Sequence, residues 1–504
     1  MKLASIVVTT MLSTGFALPA HAGAEVNLLG NWSGVVHQGE VHYTRELPVS
    51  IEVVRDKDGL VLIDRDRVRG GGRPLPLVEE NGVWRARYPS TPAGATELSL
   101  RPTANGAALM FNAKNDGPIA LTSYAVTLTH DNAAARKFFA ARMDASGNPV
   151  VDYRYRAPVP RDDGLPVSTA SAEGVDATKL EQMVRAVLAE KGQIDQPQTD
   201  GIIVLRHGKV ILEEYFWGQS AANPHEISSC TKSLTSMLAG MVWDEGKLAL
   251  DAPIASYFTD RPASRWVKEQ YPVRVRNLLS MSSGTDWNDT TATGQPSLDL
   301  VASRDIAGFM LERRLLREPG SLYNYDNGLP ALGGLLIERV AGEPLAAFAE
   351  RKLFKPLAIN NYEWMTTRDH GRPLAAGGFV MRPLDAAKLG QLMLDDGMWQ
   401  GKRLLSSAWV KQSTTQQTTK GDYPYGFYWH LTNAERRHVD NLDGYLAIGQ
   451  GGQFITVLPQ AGLVIVITSS TWKSSPLSRA GGTPLGLINQ FIVPAVKATS
   501  PSAY

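Results

Sequence analysis

The chain changes texture once, and that change limits how it can fold. Between residues 156 and 174 the sequence RAPVPRDDGLPVSTASAEG is dense in Pro, Gly and Ser, a composition that interrupts helix and strand alike. Before it, from about Leu28 to Thr129, apolar and polar residues alternate. PVSIEVVR, GLVLIDR, VWRARY, TELSLRP and IALTSYAVTLT are short, β-branched runs divided by Gly, Asn, Asp and Pro. A period of two marks half-buried strands, so residues 23–155 predict a small all-β domain, an antiparallel sandwich or barrel. NAAARKFFAARMD, from Asn132, predicts a helix behind the strands.

After the break, residues 175–504 predict an α+β domain. DATKLEQMVRAVLAEKG places Leu180, Met183, Val184, Val187 and Leu188 on one helical stripe, with Asp176 as N-cap and Gly192 as stop. GIIVLRHGKVILEEYF reads as a hairpin turning at His207-Gly208. A second hairpin, QFITVLPQAGLVIVITS, lies near the C-terminus, and NQFIVPAVKA closes the chain. Strands at both ends of the domain imply one sheet assembled from distant segments.

Composition excludes several classes. Lys+Arg 51 against Asp+Glu 50 in 504 residues leaves almost no net charge, and no basic run points to nucleic acid. The single cysteine, Cys230, cannot form an intramolecular disulfide and is expected as a small buried packing residue. The start, MKLASIVVTTMLSTGFALPAHAGAEV, has Lys2, a short apolar run to Leu18 and an Ala20-His21-Ala22 cleavage pattern. These are the parts of a signal peptide, residues 1–22, which predicts a periplasmic or secreted protein with no stable membrane anchor. H-E-x-x-H, paired cysteines, a P-loop, a dinucleotide fingerprint and G-x-S-x-G are all missing. No metal or organic cofactor is expected.

The chemistry concentrates in EISSCTKSLTSMLAG, residues 226–240. Ser229 and Lys232 are three apart, which puts them on one face of a helix. S-x-x-K arises roughly twice by chance in a chain this long, and a second copy stands at Ser470 to Lys473. Helical context separates them. After Ser229, Leu234, Met237, Leu238, Met241 and Val242 form the stripe of an amphipathic helix ending near Gly246. Ser229 then sits in a first turn, where free N–H groups favour developing negative charge. The other copy runs into SSPLSRAGG, which cannot continue a helix. A serine nucleophile also needs a base, an oxyanion site and a proton carrier. A lysine amine is protonated at its ordinary pKa, so such a role requires burial or nearby cations. EPGSLYNYDNG supplies Tyr325-Asp326-Asn327 in a turn before a helix carrying Leu332, Leu335, Leu336 and Val340.

With these motifs in order, together with VRNLLSMSSGTDWND, MRPLDAAKLGQLMLDDGMWQGKRLL, YGFYWHL and GQGGQFITVLPQAGLVIVITS, residues 163–494 resemble the serine hydrolases related to class C β-lactamases and penicillin-binding proteins. Within them the chain looks most like the 6-aminohexanoate-oligomer hydrolase-like branch. The resemblance implies a β-lactamase-like domain, an antiparallel sheet flanked by helices plus a helical subdomain. It implies Ser229 as nucleophile, Lys232 as its base partner and Tyr325 as second base or proton relay. Asn327 would hold the lysine or the substrate amide. Gln450-Gly451-Gly452 would occupy the third motif, its glycines letting substrate approach, and the amides of Ser229 and Gln453 would form the oxyanion hole.

Two departures qualify this. Gln450 lacks the cationic group with which relatives bind a substrate carboxylate, so a neutral small-molecule amide or ester fits better than a β-lactam. Asp326 replaces the serine usual in Y-x-N, which puts proton transfer there in question. A β-lactamase or cell-wall D-peptidase, and a non-catalytic protein retaining the fold, stay open as alternatives. His225 is expected to make a structural hydrogen bond, and Trp429 and His430 to line the cleft.

Overall fold

The computed structural model describes residues 28–37, 46–56, 59–64, 74–87, 96–103, 108–115, 124–130, 153–189, 199–216, 219–269, 271–288, 295–418, 423–432, 439, 442–469 and 483–496. The signal segment, the helix expected from Asn132, the stop at Gly192 and the Ser470 to Lys473 pair lie outside the described residues.

The N-terminal part is one nine-stranded antiparallel sheet. Its strands are β1 (Gly30–His37), β2 (Glu46–Asp56), β3 (Gly59–Asp64), β4 (Pro74–Pro76), β5 (Val78–Glu80), β6 (Val83–Arg87), β7 (Thr96–Pro102), β8 (Ala108–Asn115) and β9 (Tyr124–His130). Their spatial order is β4-β3-β2-β1-β9-β8-β7-β6-β5. The alternation seen in sequence turns one face inward. Trp32, Ile51, Leu62, Leu75, Leu98, Leu100, Leu109 and Leu128 form a single core drawn from both halves of the sheet. The sheet is therefore curled into a near-barrel.

The remainder is built on a six-stranded antiparallel sheet. The chain enters it through α1 (Ala177–Leu188) and its first two strands, β10 (Thr199–Arg206) and β11 (Lys209–Tyr215). Later strands are the short β12 (His225–Glu226), β13 (Tyr362–Trp364) and β14 (Phe379–Met381), the hairpin β15 (Met398–Trp399) and β16 (Lys402–Arg403), then β17 (His430–Thr432), β18 (Gly444–Gly449), β19 (Gln453–Leu458) and β20 (Leu463–Ser469). The large sheet runs β11-β10-β20-β19-β18-β17, so the two ends of the domain meet at β10 and β20. At the β10–β11 turn His207 and Gly208 take φ of 50° and 76°, the left-handed pair a tight hairpin requires.

Both faces of this sheet are covered. Ile202 and Val204 of β10 pack with the α1 stripe and with Leu485 and Ile492 near the C-terminus. Ile203 and Leu205 face Leu234 of α2 (Thr231–Asp244) and Leu384 and Leu389 further along. All five predicted stripe residues of α1 are buried, and Asp176 caps it by accepting from Thr178 N. The helix α2 departs from expectation. Thr231 through Val242 are all buried, polar residues included, because α2 lies between the sheet and further helices, and water reaches it only in its last turn, at Trp243 and Asp244.

Residues 156–174 contain no helix. They are nonetheless held against the C-terminal domain: Val167 bridges Val210, and Ala170 N donates to Tyr155 Oη, which donates to Ile211 O.

Candidate active site

The chain enters the site from β12. Ser228 takes a left-handed φ of 46°, an uncommon conformation for a residue with a Cβ. Thr231 Oγ1 steadies it by donating to Ser228 O at 2.6 Å. The turn Ser228–Cys230 is 3₁₀ and runs into α2. Ser229 therefore precedes the α-helix by one tight turn, with its side chain only part-buried.

Ser229, Lys232 and Tyr325 come together. Lys232 Nζ donates to Ser229 Oγ at 2.8 Å, and Ser229 Oγ lies 2.8 Å from Tyr325 Oη. Lys232 Nζ also stands 5.0 Å from the centre of the Tyr325 ring. Lys232 is buried, and its second acceptor is the Ala376 carbonyl at 2.5 Å. Sequence reasoning missed Ala376, because a backbone acceptor leaves no side-chain signature. The Gly377-Gly378 pair beside it was the available hint. The whole segment is stapled to α2: Thr235 Oγ1 donates to Ala375 O at 2.8 Å, and Phe379 N donates to Thr231 Oγ1 at 3.2 Å.

Tyr325 is carried by the turn before α4 (Gly328–Ala341), with α3 (Gln295–Ala302) alongside. Asp326 faces away from the nucleophile. It is buried, accepting from Gly328 N at 2.8 Å, Leu329 N at 3.2 Å and Thr285 Oγ1 at 2.9 Å. Burial pushes its carboxyl up to about 7, against the lowering effect of those donors. The aspartate is thus an N-terminal helix cap. Asn327 Nδ2 donates to Ser297 Oγ on α3 at 3.0 Å.

The third motif is the turn between β18 and β19. Gly451 and Gly452 have φ of 83° and 92°, so the turn itself requires glycine. A Cβ on Gly452 would also lie 2.9 Å from Ser469 Cβ. Gln453 begins β19 opposite Gly449. Its side chain is turned into the sheet, donating to Ser469 O at 2.6 Å and accepting from Ser469 N at 3.2 Å. Of these four residues only Gln450 is exposed. The end of β18 is pressed against the segment leading to Ser229, since a Cβ on Gly449 would stand 2.4 Å from Ile227 O.

The neighbours sort out as follows. Cys230 is buried, with its Sγ 3.5 Å from Gln453 O. Burial pushes its thiol well above the ordinary value despite Lys232, so it is no rival nucleophile. His225 is structural, its Nε2 3.1 Å from Asp200 Oδ2 and its Nδ1 2.8 Å from Glu226 O. Glu226 receives the Ser228 hydroxyl at 3.2 Å, and burial pushes it up to about 7. Trp429 does not line the cleft. It is fully buried, packed edge-on to Tyr445 at 5.3 Å, because Tyr428 takes φ of 58° and reverses the alternation of YGFYWHL. His430 is part-exposed, with Nδ1 2.8 Å from Tyr423 Oη.

Among the described residues no group of three or more His, Cys, Asp or Glu side chains could hold a metal ion, and no helix is long and apolar enough to cross a membrane.

Known proteins match this arrangement. The family described as Beta-lactamase matches residues 184–485. The 6-aminohexanoate-dimer hydrolase of Paenarthrobacter ureafaciens is 25% identical over 382 residues, covering 68% of this chain and 93% of that protein. Esterase EstB of Burkholderia gladioli is 25% identical over 195 residues, 35% of this chain and 45% of its own length. Among solved structures, EstCE1, a hydrolase with promiscuous acyltransferase activity, superposes with a TM-score of 0.51 at 19% identity, over 65% of this chain and 99% of that one.

Proposed function

Because this chain belongs to the β-lactamase family of serine hydrolases, we propose that it cleaves a small, uncharged amide or ester through an acyl-enzyme on Ser229. One observation carries the reading: a part-open serine hydroxyl lies 2.8 Å from both a buried lysine amine and a phenol. Lys232 donates to both Ser229 Oγ and Ala376 O, which leaves the serine proton directed at Tyr325 Oη. For this step Tyr325 must stand as the phenolate beside Lys232; it then takes that proton and becomes the neutral phenol as Oγ bonds to the substrate carbonyl carbon and the carbonyl π pair moves to oxygen. The oxyanion is received by the Ser229 amide, in a first turn whose N–H groups lack intrahelical acceptors, and by the backbone of the Gln450 turn. Tyr325 returns the proton to the leaving nitrogen or oxygen as its bond to carbon breaks. Water then attacks the acyl ester through the same relay and regenerates the serine.

The amide and ester chemistry is supported by the relatives, one a 6-aminohexanoate-dimer hydrolase and one an esterase. Exposed, uncharged Gln450 gives no cation for a substrate carboxylate and disfavours β-lactams. We extend the proposal to export, on the N-terminal pattern, with maturation near Gly23.

The test is labelling with a fluorophosphonate and mapping of the modified residue, followed by a panel of short esters and amides. A tag on Ser229, lost in Ser229→Ala, is expected. A tag elsewhere, or turnover unaffected by Ser229→Ala, overturns the proposal.

A further inference from the structure

The segment Tyr323 to Asn327, YNYDN, alternates in the way of extended chain, where successive residues face opposite sides. Asn324 is turned inward: its N–H donates to Met281 O at 2.7 Å and its side chain to Trp287 O at 3.0 Å. Asp326 is buried in the same direction. Tyr323 and Tyr325 therefore share the other side, where Ser229 lies.

Nothing in the reaction uses Tyr323, yet it opens an aromatic wall. Its ring stacks on Tyr423, with centres 4.7 Å apart and planes 17° apart, and meets Tyr425 at 4.9 Å. His430 stands edge-on to both, 5.6 Å from Tyr423 and 5.0 Å from Tyr425. Burial first, then the neighbouring Tyr325 phenol, holds the Tyr425 phenol well above its ordinary value. The wall thus continues directly from the reactive phenol. Tyr425 is its buried backing, while Tyr323, Tyr423 and His430 stay part-exposed.

Physics favours one kind of occupant. Ring faces and edges attract another ring by about 0.5–1.5 kcal/mol beyond burial alone. The hydrogen bond between Tyr423 and His430 fixes the wall before a ligand arrives, which reduces the ordering cost of binding. None of the four side chains carries a carboxylate, guanidinium or ammonium. A flexible alkyl chain gains only area here, and a carboxylate gains no guanidinium or ammonium partner among them.

We propose that Tyr323, Tyr423 and His430 form a subsite selecting substrates with a planar, uncharged aromatic group beside the scissile bond. The inference rests on the Ser229 reading for its kinetic arm and is independent of it for its binding arm.

The kinetic arm compares ethyl phenylacetate with ethyl butyrate, which share a leaving alcohol. Tyr423→Leu keeps apolar bulk and is expected to lower kcat/KM for the aryl ester roughly tenfold while the butyrate changes less than about twofold. Tyr423→Phe keeps the ring and the preference. Tyr323→Leu, a second disruption, should behave as Tyr423→Leu does. The binding arm follows benzamide by ligand-observed NMR. Wild type and Ser229→Ala should bind it alike, and Tyr423→Leu should bind it more weakly. Parallel losses on both esters, or benzamide binding indifferent to Tyr423→Leu and Tyr323→Leu, overturn the subsite. A wild type that hydrolyses neither ester overturns the Ser229 reading instead, and the benzamide arm still decides the subsite.

Discussion

Lys232 and Ala376 stand 144 positions apart in sequence, yet the lysine amine donates to the alanine carbonyl at 2.5 Å. The amine is thereby aimed by a backbone group whose own position depends on the segment Leu374–Phe379. Gly378 in that segment has φ of 69°, and a Cβ there would lie 2.5 Å from Met365 Cβ.

Gly378→Ala should therefore move the carbonyl and misplace the amine. A decrease in kcat/KM of about 10²-fold is expected from a shift of roughly an ångström, with about 1–3 kcal/mol of stability lost to the strained backbone. Gly371→Ala is the control: its φ is 66°, but a Cβ there would meet nothing within 4 Å. It should lose stability and keep activity. Steady-state kinetics and urea unfolding check both, and full activity in a folded Gly378→Ala protein would remove Ala376 from the mechanism.

In the proposed mechanism Ser229, Lys232 and Tyr325 share one proton path, so their losses should not add. Lys232→Ala and Tyr325→Phe are each expected to lower kcat by about 10²–10⁴-fold, and the double variant by little more than the worse single one. Additive losses in a double-mutant cycle would mean that the lysine and the phenol serve separate steps.

Much of this was legible because it is written in side-chain periodicity. The α1 stripe, the His207-Gly208 hairpin and the strands from PVSIEVVR onward are each set by local patterning, and Ser229 and Lys232 by helical spacing. Other features depend on what lies across from a residue, which one chain segment cannot encode. One apolar stripe marked α2, but the second layer that buries Thr235 and Ser236 comes from elsewhere. Ala376 contributes a carbonyl, which every residue has. The Gln453 side chain is fixed by Ser469, a partner across the sheet that its own segment does not encode. Trp429 was turned inward by a single left-handed residue, Tyr428.

Asp326 makes a prediction about pH. Burial raises its folded pKa to about 7, whereas an unfolded aspartate titrates near 3.9. Between about pH 4 and 7 the folded state holds a proton that the unfolded state has lost. The contribution to stability is present below pH 4, declines as pH rises towards 7, and is flat above. Asp326→Asn can still accept from Gly328 N and Leu329 N but does not titrate. Its stability relative to wild type should rise by about 3 kcal/mol across that window. Denaturant midpoints at pH 4.5, 6 and 8 measure it, and taking the difference cancels Glu226, which titrates in the same range. A flat difference would place the Asp326 titration elsewhere.

The neutral third motif is open to a direct reversal. Gly451 and Gly452 are held by positive φ, and Gly452 also by close packing, so the turn admits change only where it is exposed, at Gln450. Gln450→Lys puts a cation at the rim of the site without touching Ser229, Lys232 or Tyr325. At about 4 Å in near-aqueous surroundings, a unit charge pair gains on the order of 1 kcal/mol, or roughly fivefold in kcat/KM. That gain should appear for 4-nitrophenyl hemisuccinate and not for 4-nitrophenyl butyrate. Because the charge is exposed, raising the salt from about 0.01 M to 1 M should erase most of it. Equal effects on the two esters, or a salt-independent gain, would show that position 450 does not face the far end of the substrate.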